Sequence, residues 1–588
     1  MADTQYAILS LIPAVAAGLY ILLYQWRYNN YANIPSPMSR NLFFGNLGYI
    51  AAEYKKVGNP SVHPDYVFEN IWKAHGSPDY IFFDTRPAQR PLALIASHEL
   101  AEQITKSTKQ QPYSTTKSPT IQEGIGPLVG KFSLLSEEGE SWKSLRKRFN
   151  PGFAPHHLLS LLPVIFEKTY TLMGKLDALA RSGIATELEP LCTNVTFDII
   201  GEVVTNIDCK AQADTAEEND IVKNFRILSA TYVGDNALMP GWLKVPLQIK
   251  RYIYSQRLDA AVKKCVREKF DAIQAGQSDT KDRSVLALAL KSTETLTPTI
   301  LQSISDQVKT FLFAGHDTTS ILLQRLFYAL SIHPECLAKV RAEHDAVFGD
   351  SDPKEVFLAR PEETMKALVY TSACIKESLR LWPPAASARM SHNGLKVRTS
   401  NGEEVCLDEC VVYLCHHLIQ RDPKVYGETA DDFVPERWVG DIDTSSATVE
   451  TDGSTTGASK IPISAWRPFE RGPRNCIGQE LANLEARVIL VCTMRRYDFV
   501  KVGYGEVETD EKGQRIVDEK GKYKTKSELL SVKAIRRTHD DLAKAMGETS
   551  EFKQYIIEAM GNGFEHFIYA SARPTRAGAG VTPEPFED

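Results

Sequence analysis

The chain has 588 residues, 43% hydrophobic and 24% charged, with a formal net charge of −6. That is ample material for a large buried core and too little charge bias for a disordered chain. The basic excess that nucleic-acid binding leaves in a sequence is missing, which excludes nucleic acid as a partner. The first element runs from Thr4 to Trp26, TQYAILSLIPAVAAGLYILLYQW, without a charged residue. At about 1.5 Å per helical residue this run can cross a hydrocarbon core roughly 30 Å thick, so an N-terminal transmembrane helix with its flank is expected over residues 1–30. Asp3 precedes the run and Arg27 and Arg40 follow it, which predicts that the bulk of the chain faces the cytosol. No basic stretch precedes the apolar residues, and this argues against a cleaved signal peptide.

Residues 31–60, with Pro35 and Pro37 in NIPSPMSRNLFFGNL, read as a proline-rich stalk, because both prolines stop the helix from continuing. From residue 61 onward one large domain is expected. DYIFFDT and PLALIAS predict short paired strands, and from Glu137 to Arg380 apolar residues recur with a period near 3.6. The expected fold class is therefore mainly α with a small β component. Residues 440–460 are small and polar and read as a loop insertion. A second insertion is expected over 505–562, opening with the charge-rich stretch 505–527, read as a solvated excursion, and no internal repeat is evident. The ten cysteines are scattered through apolar patterns, which suits a reducing compartment. Cys406, Cys410 and Cys415 in EVCLDECVVYLCHH fit no zinc template and read as buried strand.

The chemistry centres on WRPFERGPRNCIGQE, residues 466–480. A thiolate is the metal-binding form of cysteine, and neighbouring cations and backbone N–H groups favour it. Cys476 lies among Arg467, Arg471 and Arg474, with Gly472, Pro473 and Gly478 letting the backbone turn around the sulfur and Phe469 packing beside it. The pattern after Gly478 predicts a helix whose N-terminal dipole adds to the effect. One cysteine cannot build a structural zinc site, so a single axial bond to a flat cofactor competes with the plainer reading of a free loop cysteine. In KTFLFAGHDTTSILL, residues Gly315 to Thr319 interrupt an apolar helix, and Thr318 is placed to bond back to the carbonyl of Ala314 and open a groove. Glu377 and Arg380 share a helix face at i and i+3, as do Trp142 and Arg146 at i and i+4.

FERGPRNCIG resembles the haem-binding signature of the cytochrome P450 family, F-x-x-G-x-R-x-C-x-G. The resemblance implies the P450 fold, a heme b cofactor and Cys476 as its axial thiolate, of the kind that pushes electron density toward O–O cleavage. AGHDTT is similar to the family's oxygen-activating motif, which gives Asp317 and Thr318 the delivery of protons to dioxygen. Glu377, Arg380 and, in FVPERW, Arg437 match its structural E-x-x-R cluster. Trp142, Arg146, Arg389 and Arg474 are implied around the haem propionates. Glu470 and Arg471 depart from the small residues often found in the haem loop.

The implied activity is monooxygenation of an apolar small molecule with electrons from NADPH through cytochrome P450 reductase, with cytochrome b5 as a second partner. The implied place is the endoplasmic reticulum membrane, single-pass with a cytosolic catalytic domain. The loop variant and the insertions resemble fungal members of secondary metabolism. An oxygen-independent isomerase or dehydratase and a non-catalytic haem sensor are the alternatives, and the intact Asp317 and Thr318 count against both.

Overall fold

A computed structural model describes residues 2–536 apart from 32–33, 35, 37, 39, 58–62, 110, 214–216, 233–243, 278–281, 292, 393, 440–460, 502–506, 511 and 526–531. The loop expected at 440–460 and the part of the expected 505–562 insertion beyond residue 536 lie outside the described residues. Helices dominate, as the period of 3.6 predicts. In chain order those that matter below are α1 (Ala2–Tyr28), α2 (Leu47–Val57), α3 (Pro64–Ala74), α4 (His98–Thr105), α5 (Pro119–Val129), α6 (Gly139–Phe149), α7 (Leu162–Ser182), α8 (Leu188–Thr205), α9 (Asp220–Ala230), α10 (Val245–Gln274), α11 (Pro298–Ile332), α12 (Pro334–Phe348), α13 (Val369–Leu381) and α14 (Gln479–Met494). The long α11 runs through the helical core, which also takes buried faces of α7, α8, α10 and α14.

Among the described residues the β component is one mixed sheet and two antiparallel strand pairs. The strands are β1 (Tyr80–Phe83), β2 (Leu92–Ile95), β3 (Ser387–Arg389), β4 (Lys396–Arg398), β5 (Glu404–Cys406), β6 (Val411–Leu414), β7 (Tyr497–Lys501) and β8 (Val532–Arg536). The sheet has the order β1-β2-β6-β3, with β1 antiparallel to β2 in the register Tyr80↔Ile95 and β2 parallel to β6. Side chains alternate across it as period-2 geometry requires. Phe82, Ala93, Ile95, Val412 and Leu414 face one apolar cluster, while Ile81, Phe83, Leu94 and Tyr413 face another with Phe68 and Trp72 of α3. Cys410 and Cys415 flank β6 and are buried, Cys406 closes β5, and no group of metal-binding residues occurs among the described residues.

The described residues within 31–60 do not stand off as a stalk. Tyr31 and Ile34 belong to one face of the sheet, and Met38 and Ile50 to the other. The physical reason is that the segment around the prolines carries apolar side chains that the sheet can cover. Arg27 also departs from its expected role as a membrane-flanking charge. It is fully buried, with Nη1 2.7 Å from Asp84 Oδ1 and Nη2 donating to the Phe43 carbonyl at 2.6 Å. Arg86 completes the lock, donating to Asp84 Oδ2 at 2.8 Å and stacking 4.4 Å over Trp26. The C-terminal end of α1 is thus fastened to the start of the sheet. Among the described residues no helix is long and apolar enough to cross a membrane.

The segment 507–525 is largely exposed, as expected of a solvated excursion, but it carries a short repeat where none was expected. Asp-Glu-Lys-Gly occurs at 510–513 and again at 518–521. Each copy makes the same turn: Asp510 Oδ1 accepts from the N–H of Lys512 and Gln514, and Asp518 Oδ1 from those of Lys520 and Lys522. Gly513 and Gly521 both adopt φ 76°, the left-handed region that favours glycine. The resulting meander docks on the end of α11, where Tyr523 N–H donates to the Ile332 carbonyl at 2.9 Å.

Candidate functional site

The loop of Cys476 is shaped by short backbone contacts. Cys476 N–H donates to the Phe469 carbonyl at 2.9 Å, and Asn475 N–H to that of Gly472 at 3.1 Å. Gly472 has φ 74°, and a Cβ there would lie 2.2 Å from the Thr105 carbonyl oxygen of α4. Only glycine fits both demands. Gly478 caps α14, and the N–H groups of Gly478 and Gln479 favour negative charge on the Cys476 sulfur. Phe469 packs edge-on against Trp466.

The influences on the thiol's pKa oppose one another: removal of solvent by the surrounding protein pushes Cys476 up, although its side chain is itself exposed, while Gly478, Arg146 and Lys117 pull it down. A sulfur so placed becomes a thiolate against a cation bound directly to it, which is what an iron provides.

Around this loop the structure gathers the expected cationic residues and uses them in different ways. Arg146 holds the cysteine loop itself, with Nη1 2.6 Å from the Asn475 carbonyl and Nη2 3.0 Å from its Oδ1. Arg474 is buried, stacks 4.6 Å over the buried Trp142 ring, and donates to the Glu137 carbonyl and to Glu138 Oε1. Burial, with Arg389 and Arg146 nearby, pushes its pKa down to about 10 despite Glu138. Arg389 of β3 is fully buried and donates to the Thr115 carbonyl, while its Nε and Nη2 have no hydrogen-bond partner. Buried guanidinium nitrogens without partners are costly unless a carboxylate comes to meet them. This is the observation by which the residues fit a haem with its two propionates.

Three participants were not found by reading the sequence. Lys117 reaches Ser387 Oγ at 3.1 Å beside Arg389, and burial and Arg389 push its amine well below the usual value. His416 follows β6, with Nε2 3.6 Å from Glu470 Oε2. Glu102 of α4 accounts for two arginines that had no assignment, Arg467 at 3.3 Å and Arg471 at 3.0 Å. All three are brought in over long sequence separations, for which no local pattern exists.

On α11 the back-bond from Thr318 Oγ1 to the Ala314 carbonyl is present at 2.8 Å, and Asp317 is buried. The helix nonetheless continues unbroken through Gly315–Thr319, so the expected interruption is corrected to a close helix contact. A Cβ on Gly315 would lie 2.5 Å from Ile200 Cγ1 of α8. Replacing Gly315 by alanine is expected to cost about 1–3 kcal/mol through overpacking. Pairing it with Ile200→Ala should recover most of that loss, as read from urea unfolding of the two single variants and the double variant. His316 turns away into an aromatic box of Phe197, Phe225 and Phe313, where burial pushes its pKa down to about 4 and keeps it neutral.

The two halves of the site are joined by the segment between α5 and α6. Phe132 N–H donates to Asp306 and Thr310 bonds to Ser133, while Glu138 takes both the Lys117 N–H and Arg474. Beneath lies the cluster of Glu377. Arg380 meets it with two bonds, Nε to Oε2 at 2.8 Å and Nη2 to Oε1 at 2.7 Å, and Arg437 Nε adds a third at 3.0 Å. Trp438 Nε1 and Val434 N–H, neither foreseen, bring the acceptor's bonds to five. An open cleft of about 700 Å³ lined by Tyr170, Asp177, Asp352 and Arg496 contains none of these residues.

A loop that exposes one cysteine, with a Glu–Arg–Arg lock built on the buried Glu377 and with unpartnered buried guanidinium nitrogens, fits a haem-thiolate protein. The family model for Cytochrome P450 matches residues 57–527. The chain is 31% identical over 452 residues to cytochrome P450 monooxygenase acrF of Aspergillus aculeatus, covering 74% of this chain and 88% of that protein. It is 28% identical to cytochrome P450 monooxygenase polC of Polytolypa hystricis over 86% of this chain and 89% of the relative. Its fold is similar to the crystal structure of the cytochrome P450DA heme domain, with a TM-score of 0.63 at 20% identity over 86% of this chain and 98% of that one. The chain belongs to the cytochrome P450 family, whose members bind haem through a cysteine thiolate, and its relatives support a haem monooxygenase.

Proposed function

We propose that the protein is a membrane-anchored, heme b-dependent monooxygenase that inserts one oxygen atom of dioxygen into an apolar small molecule. Electrons come from NADPH through a separate cytochrome P450 reductase, with cytochrome b5 as a second donor. The observation that carries the reading is the buried Asp317 next to Thr318 on α11, in a helix tied by residues 129–138 to the loop of Cys476. When bound, haem supplies the centre at which dioxygen is activated. Thr318 offers a hydroxyl whose proton direction is fixed by the Ala314 carbonyl, and Asp317 passes protons to it from solvent. Trp142, Arg146, Arg389, Phe469 and Arg474 orient and enclose the cofactor, Arg146 by bracing Asn475 next to the ligand. Such a relay has no task in a sensor or in oxygen-independent rearrangement.

The 27 residues of α1 reach about 40 Å. On its described part Leu19, Tyr20, Ile21 and Leu22 are exposed apolar side chains, as lipid contact requires. With all ten cysteines free, a cytosolic catalytic domain on the endoplasmic reticulum membrane is the consistent placement. Resemblance to fungal secondary-metabolism members makes polyketides, terpenoids and alkaloids the substrates to try first.

The test is incubation with reductase, NADPH and a panel of such compounds under isotopically labelled dioxygen. One labelled oxygen atom per product molecule is expected, and product formed under nitrogen would sink the proposal. In Thr318→Ala, product per NADPH should fall by ~10²-fold, with the lost electrons recovered as hydrogen peroxide.

A further inference from the structure

We infer that Glu189 and Thr193 of α8, with Ser320 of α11, form the entry of the proton path that supplies Asp317 from solvent. A row of polar side chains crosses between the two helices. Glu189 Oε1 accepts from Thr193 Oγ1 at 3.3 Å, Thr193 Oγ1 lies 2.9 Å from Ser320 Oγ, and Ser320 Oγ accepts from Gln324 Nε2 at 3.0 Å. Ser320 stands one turn after Asp317 on the same side of α11. Glu189 and Thr193 are partly exposed whereas Ser320 and Asp317 are buried, so the row runs from the surface inward. Thr196 holds the helices in this register by donating to the His316 carbonyl at 2.7 Å, and the close approach of Gly315 to Ile200 adds to it.

The hydrogens on this row have a defined order. A carboxylate only accepts, so the single hydroxyl hydrogen of Thr193 goes to Glu189, and the contact between Thr193 and Ser320 then uses the Ser320 hydrogen. With Glu189 ionised the row points outward. A proton taken up by Glu189 reverses it: Thr193 receives the Glu189 hydrogen and gives its own to Ser320, and Ser320 passes its hydrogen to Asp317 through water. Each hydroxyl gains one hydrogen and loses one, no electron moves, and Glu189 is left ionised to take the next proton from solvent.

The surroundings of Glu189 suit it to this exchange. Burial, opposed by the Thr193 hydroxyl and aided by the charges of Asp317 and Glu187, brings its carboxyl up to about 7 despite Arg226. Arg226 is engaged elsewhere, by Glu218 and by Asn194 Oδ1 at 2.7 Å. An acid that titrates near the working pH is the effective kind in proton transfer. Glu189, Thr193 and Ser320 act through Asp317 and are positioning residues, and the inference rests on the oxygen chemistry proposed above.

Two measurements on the holoprotein test it. The first is infrared difference spectroscopy of the resting protein across the neutral pH range, without reductase or substrate. Wild type should show a protonated carboxyl band that is lost as pH rises through about 7. The band should be absent in Glu189→Gln and should titrate at lower pH in Asp317→Asn, because removing a like charge makes ionisation of Glu189 easier. The second is product formed per NADPH under labelled dioxygen, with reductase and the compound of the panel above that wild type oxidises. Glu189→Gln and Thr193→Val should lower it by ~10-fold, less than Thr318→Ala because neither residue touches the reacting atoms. The wild-type decline above neutral pH should disappear in Glu189→Gln, and Thr193→Ser, which keeps the hydroxyl, should match wild type. A Glu189 band that Asp317→Asn leaves in place, or wild-type yield in Glu189→Gln and Thr193→Val beside an uncoupled Thr318→Ala, overturns the inference alone. Absence of labelled product from wild type itself is a failure of the monooxygenase reading, and the path falls with it even where the infrared shift is seen.

Discussion

Replacing Glu377 by alanine is expected to remove about 3–5 kcal/mol of stability, a large share of the 5–15 kcal/mol or so that holds a typical native protein together. The reason is what remains behind. Glu377 and Arg380 have fully buried side chains, and the carboxylate is the shared acceptor for two guanidinium groups, an indole and a backbone N–H. Without it Arg380 keeps the carbonyls of Gln420, Ala430 and Asp432 and the face of Tyr426, but its charge stays buried without a counter-ion. Glu377→Gln retains the shape but not the charge and should fall between wild type and alanine. The exposed pair Lys339–Glu436, 2.6 Å apart with both side chains about half in solvent, is the contrast. Removing Lys339 should cost no more than about 1 kcal/mol. Urea unfolding of the four proteins checks the order, and a loss at Glu377→Ala no larger than that at Lys339 would remove the structural role assigned to the cluster.

How much of this was legible in the sequence follows the range of the interactions. The E-x-x-R pair, the Thr318 back-bond, the N-terminal position of Cys476 relative to its helix and the strands of DYIFFDT and PLALIAS all depend on residues within a turn or two of one another. Such spacings leave a local pattern. Glu470 looked like a departure from the haem loop because its partners Arg389 and His416 lie far upstream in the chain. Arg27 misled in the opposite direction: a basic residue after an apolar run suggests a membrane flank, and Asp84, fifty-seven positions on, buries it instead. Of the arginines adjacent to Cys476 in the sequence, Arg467 and Arg471 turn instead to Glu102, which lies far upstream. The paired Asp-Glu-Lys-Gly turns were legible and were missed, since charge-rich composition hid their glycine spacing.

Cys476→Ser is the second substitution with a large effect, and it bears on the whole account. A hydroxyl in place of the thiol keeps the loop geometry, including the Phe469 carbonyl bond and the fit of Gly472 against Thr105. It removes the one ligand that can form a soft, strongly donating bond to iron. Haem can still be cradled by Arg389, Arg474 and Trp142, so the variant should bind it more weakly without losing the fold. The most direct measurement is the absorption spectrum of the reduced, carbon monoxide-bound protein. Wild type should give the band of a thiolate-ligated haem, and Cys476→Ser should lack that band at matched haem content. An unchanged band in the serine variant would contradict the assignment of Cys476 and, with it, the site described around it.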